Sequence, residues 1–173
     1  MRGVSRSLKM VPILVLAAGL AWAGKLDDES LGGIQLHVRP SAVIAVYGQP
    51  EHKVSLPANG CGEPCVGWEY PGPGLTVELC KDLSAKEESD RQLRVLEIRT
   101  DRNSKAKTSR GMMIWSTKHE VRTSYPEIDV EVRQDGVVAS MKEHDHGDLI
   151  LEFQFKDDRV SQIKLSHHIQ CSR

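Results

Sequence analysis

A chain of 173 residues with 39% hydrophobic and 27% charged residues has the make-up of one folded domain, or of two small ones sharing a core. Its formal net charge of −1 and its 5% aromatic content offer no basic surface for nucleic acid. Charge of both signs is spread along the chain, as on an ordinary solvated surface.

The first element is an export signal. Arg2, Arg6 and Lys9 make a positive start, Met10 to Leu20 is an apolar run too short to span a bilayer, and Ala21-Trp22-Ala23 is an Ala-x-Ala cleavage site. Residues 1–23 are therefore expected to be a signal peptide, with an exported mature chain of 150 residues beginning at Gly24. Loss of the three cations Arg2, Arg6 and Lys9 takes the net charge from −1 to −4. No later run approaches membrane length, so no stable membrane insertion is expected after cleavage. The first cysteine is Cys61, which argues against a lipid on the mature N-terminus.

The mature chain repeats itself. Gly33-Ile34-Gln35-Leu36 with Val43 and Tyr47 recurs as Gly111-Met112-Met113-Ile114 with Val121 and Tyr125, at a constant offset of 78 residues. Arg94 to Arg99 echoes Arg159 to Lys164 at an offset of 65. The expected fold class is α+β, with two tandem repeats, each a short helical segment packed on a three- to four-stranded antiparallel sheet. The boundaries are 24–100 for the first repeat, 101–110 for a basic linker carrying Arg102, Lys105, Lys107 and Arg110, and 111–173 for the second repeat.

Ser41 and Thr117 are the expected N-caps of the two helices, and Thr117 with Glu120 fits a capping box. Val43 and Tyr47, like Val121 and Tyr125, are four apart and face one way, onto the sheet. Period-two alternation marks strands at Val66 to Tyr70, Leu75 to Cys80, Leu93 to Ile98, Val137 to Met141, Leu149 to Phe155 and Ile163 to Ile169, with Val130 and Val132 in a further short one. Lys156-Asp157-Asp158-Arg159 is a hairpin turn, and Lys81 to Gln92 is a charged surface loop.

Four cysteines in an exported chain predict two disulfides. Pairing the strands around Pro71-Gly72-Pro73-Gly74 sets Tyr70 opposite Leu75, Trp68 opposite Val77 and Val66 opposite Leu79 on one apolar face. The same register sets Cys65 opposite Cys80 on the other face, closing a loop of 16 residues and leaving Cys61 to pair with Cys171. The rival scheme joins Cys61 to Cys65 and Cys80 to Cys171; geometry favours the first.

Gly33, Ile34, Leu36, Val43, Tyr47, Gly48 and Pro50, with Gly111, Ile114, Val121, Tyr125 and Pro126, form a pattern that resembles a bacterial envelope module. It is similar to the small helix-plus-sheet domain of the outer-membrane assembly lipoprotein. The tandem arrangement resembles the secreted β-lactamase inhibitor protein. The resemblance implies an exported protein-binding module of the cell envelope, an inhibitor or an assembly factor, whose partner is another envelope or secreted protein. The chain departs from the first in lacking a lipid-attachment cysteine and from the second in having few aromatic residues.

No nucleophile elbow, phosphate loop or zinc-protease motif is present, so no catalytic residue and no cofactor is implied. Trp115 stands at the head of the second helix as the one aromatic free to anchor a partner, and His37 is its matched position in the first repeat. His144 and His146, two apart, are placed to share a zinc or copper ion. With His37 they define the alternative reading, a periplasmic metal or small-molecule binding protein.

Overall fold

The computed structural model describes residues 26–59, 61–81, 92–133, 136–143 and 148–168. A single 3-10 turn, Leu26–Asp28, leads into a small ribbon of β1 (Ser30–Leu31) and β2 (Ile34–Gln35). Gly32 and Gly33 turn it at φ of 65° and 80°. A Cβ on Gly32 would stand 2.3 Å from the Tyr47 hydroxyl, which donates to the Gly32 carbonyl at 2.6 Å. Glycine is thus required there by its neighbour as well as by its backbone.

Helix α1 (Pro40–Tyr47) follows, then strands β3 (His52–Leu56), β4 (Cys65–Tyr70), β5 (Leu75–Lys81) and β6 (Leu93–Thr100). After a long crossing come helix α2 (Lys118–Ser124) and strands β7 (Asp129–Arg133), β8 (Gly136–Glu143), β9 (Asp148–Lys156) and β10 (Arg159–His168). All eight of these strands belong to one antiparallel sheet in the order β3-β4-β5-β6-β10-β9-β8-β7.

This overturns the expected fold class. The protein is mostly β rather than α+β with two helix-on-sheet repeats. Its helices have only eight and seven residues, and each buries one residue of its span, Val43 or Val121. The strands carry most of the apolar surface. The sheet is also continuous, because β6 pairs with β10 through Ile98 opposite Leu165 and its neighbours. Separate sheets would have left both of those strands as open edges, a liability that pairing removes.

The local reading of the hairpins stands. Tyr70 opposes Leu75, Trp68 opposes Val77, Val66 opposes Leu79 and Cys65 opposes Cys80. Cys65 and Cys80 are disulfide-bonded with Cα atoms 4.3 Å apart, which excludes the rival scheme. Cys61 is also disulfide-bonded, while its expected partner Cys171 lies outside the described residues. The β9–β10 turn places Asp157 and Asp158 at φ of 53° and 59°, the paired left-handed residues of a two-residue hairpin.

One face of the sheet carries the core. Trp68, Val77, Ile98, Ile163, Leu151 and Phe153 pack there with Val43 from α1 and Val121 and Tyr125 from α2. Tyr47 meets Tyr70 and Tyr125 meets Phe153 at ring-centroid distances of 5.5 and 5.4 Å. Thr117 caps α2 with the expected box, accepting from the Glu120 backbone while Glu120 accepts from the Thr117 backbone. Ser41 is not a cap. Arg39 holds the N-cap position of α1 without a side-chain bond, and Pro40 at the first helical position sets φ instead. On the opposite face Cys65, Cys80 and Leu96 form a small second cluster with Leu56.

Candidate functional site

The site is built on the chain entering α2. Ile114 is buried, and the next residue, Trp115, is 65% exposed, the most exposed of the large apolar side chains among the described residues. Trp115 adopts a left-handed backbone at φ 75°, rare for a bulky residue. Hydrogen bonds over-determine that conformation. The Trp115 N–H donates to the Val160 carbonyl at 2.9 Å, and the Val160 N–H donates to the Ser116 carbonyl at 2.9 Å. The Ser116 hydroxyl accepts from the Met113 N–H at 3.1 Å, and the Lys118 N–H donates to the Asp158 carbonyl at 3.1 Å. The Arg159 guanidinium closes the loop by donating to the Trp115 carbonyl at 2.9 Å. The indole is thus presented from a loop stitched to the β9–β10 hairpin.

Beside it lies a pocket of about 320 Å³ lined by Ile114, Trp115, Val160, Ser161, Arg102, Lys156, Asp157 and Arg159. Three cations against one carboxylate make its rim net positive. Apolar anchor, basic rim and fixed backbone suit recognition of a surface more than bond-making chemistry.

His37 holds the matching backbone position but a different place. It too is left-handed, at φ 62°, with its N–H donating to Val95 at 2.8 Å while the Val95 N–H donates to Val38 at 3.1 Å. Its ring is exposed and stands edge-on to His167 at 4.6 Å. Val160 and His167 are seven residues apart on β10, about 23 Å along a strand. Trp115 and His37 therefore mark opposite ends of that strand and do not share a surface. His144 and His146 lie outside the described residues. The one group of three metal-type side chains brought together among the described residues is Cys65, Glu78 and Cys80, whose sulfurs are spent in the disulfide and are not thiolates.

No protein-family model matches the chain, and no curated protein or solved structure matches it.

The exposure of Trp115 was legible in the sequence, but the residues that surround it were not. Arg102 comes from the crossing segment, whose Ser104, Ala106 and Thr108 are buried while Lys105 and Lys107 face solvent. Lys156 and Arg159 were legible only as turn residues. The pairing that would have revealed them joins Thr117 to Arg159, across 42 residues with no sequence signature.

Proposed function

We propose that the protein is an exported, non-enzymatic protein-binding module whose contact surface centres on Trp115. The carrying observation is a tryptophan 65% exposed and held at φ 75° by hydrogen bonds on both sides. A fold retains a strained, solvated apolar side chain where another function maintains it. The signal-like segment 1–23 and the Cys65–Cys80 disulfide support export. The partner is an envelope or secreted protein offering an apolar slot for the indole, bordered by carboxylates that meet Arg102, Lys156 and Arg159.

A photoreactive amino acid at Ser161, in the producing cell, tests this. A specific protein adduct is expected, lost in Trp115→Ala and weakened by salt. An adduct that persists unchanged in Trp115→Ala would sink the proposal.

A further inference from the structure

The helix-free face of the sheet holds a second site. Strands β5, β6 and β10 bring Glu78 directly opposite Glu97, and Glu97 directly opposite Ser166. Cross-strand partners share a face, so two carboxylates and a hydroxyl stand in one row, and the like charges repel. Arg99 answers them only in part, with its Nε 3.9 Å from Glu97 Oε1 and its side chain half exposed.

The loop between β3 and β4 lays Asn59 over this row. Asn59 Oδ1 accepts from the N–H groups of Cys61 and Glu63, both at 3.0 Å. Those two bonds fix the amide and leave Nδ2 as a buried donor with no partner among the described residues. Ser166 is 1% exposed, and its Oγ likewise has no partner among them. Asn59, Glu78, Glu97 and Ser166 line a cavity of about 220 Å³. Buried polar groups are normally satisfied, and here an acceptor pair, a donor and a hydroxyl converge on one space.

We propose that this cavity binds a small organic ligand carrying a primary ammonium group and a neutral oxygen a few bonds away, such as an amino sugar or amino alcohol. The ammonium sits between the Glu78 and Glu97 carboxylates and the Ser166 hydroxyl, three acceptors for its three protons. The neutral oxygen accepts from Asn59 Nδ2. A bare metal ion is disfavoured: His167 and His168 also line the cavity, but among the described residues their imidazoles and the two carboxylates do not gather three ligands within reach of one ion, and the fixed amide offers an N–H donor rather than an oxygen. Burial, then the Glu97 charge, raises the Glu78 pKa against the opposing pull of Arg99, as expected of a carboxylate pair awaiting a cation.

The test is an amide NMR titration of the protein near neutral pH with glucosamine, N-acetylglucosamine and calcium chloride in turn. Glucosamine is expected to shift the Asn59 side-chain amide and the Ser166 backbone amide saturably, and N-acetylglucosamine, which lacks the charge, to leave them in place. Glu97→Gln should weaken glucosamine by roughly tenfold or more, the worth of one charge-assisted hydrogen bond. That variant is isosteric and removes a repulsion along with one long, half-exposed contact to Arg99, so its fold is expected to hold, which its amide spectrum checks; Ser166→Ala serves as an independent second variant and should also weaken binding. No saturable response to glucosamine, an equal response to N-acetylglucosamine, or undiminished affinity in Glu97→Gln would overturn the proposal. So would a response to calcium alone.

Discussion

At φ 75° the Cβ of Trp115 crowds its own backbone, at a cost of about 1–3 kcal/mol for a residue other than glycine. With 65% of its surface in water, the side chain recovers little of that by burial. Glycine takes the same backbone without strain but adds about 0.5–1 kcal/mol of unfolded-state entropy. Trp115→Gly is therefore expected to leave the melting temperature unchanged or raise it, while abolishing the crosslinked adduct. A clear fall in stability, measured by thermal unfolding, would mean that the indole is packed as structure. Val160 contrasts with it: fully buried, it exchanges both backbone bonds with the Trp115–Ser116 pair and supports the display from below.

Among the elements, the β4–β5 hairpin is the clearest case of structure written locally. Its turn and its alternation coincide, so its register could be read residue by residue, and with it the facing cysteines. Replacing both Cys65 and Cys80 by alanine frees a 16-residue loop and should cost about 3 kcal/mol, a fall in melting temperature of roughly 6–12 °C. A fall of only a degree or two would show that the strands hold the loop closed without it. What was not legible is how the two strand sets meet. The β6–β10 pairing joins residues such as Ile98 and Leu165 across a long crossing, and no turn announces it. Strand β3 was missed as well, because four of its five residues are exposed and it lacks an apolar alternation. The Glu78–Glu97–Ser166 row depends on that hidden pairing, so it too was invisible beforehand. The row predicts a pH effect. A carboxylate whose folded pKa is raised binds its proton more tightly in the native state. Its stabilising contribution is present below the unfolded value of about 4.5 and is lost as pH rises through the folded one. Glu78→Gln should therefore melt higher than the parent at pH 7 and alike at pH 4. A difference of the opposite sign, or one independent of pH, would show that Arg99 already neutralises the pair.

The whole molecule is held by contacts that cross the middle of the sequence. The β6–β10 seam is short, but Thr100, buried at its end, accepts from the Ile163 N–H at 2.8 Å and donates to the Ile163 carbonyl at 3.3 Å. Glu29, near the start of the described chain, is buried against Ser109 and Tyr125: its carboxylate accepts from the Ser109 N–H at 2.7 Å, from the Ser109 hydroxyl and from the Tyr125 hydroxyl at 3.1 Å. The N-terminal ribbon is tied to the crossing segment as well, Gly32 donating to Lys107 at 2.8 Å and Ser109 to Ser30 at 3.1 Å. The core cluster runs without a break from Leu31 and Val77 to Phe153 and Leu165. A unit so connected should unfold in one cooperative step, with equal calorimetric and van't Hoff enthalpies. Thr100→Val would strand the buried Ile163 N–H at a cost of about 1–3 kcal/mol. Because the seam is shared, that variant should lower the single transition as a whole rather than split it. Two resolved transitions in the parent protein, or melting of one strand set alone in Thr100→Val, would instead mean that the eight strands are two folding units that merely touch.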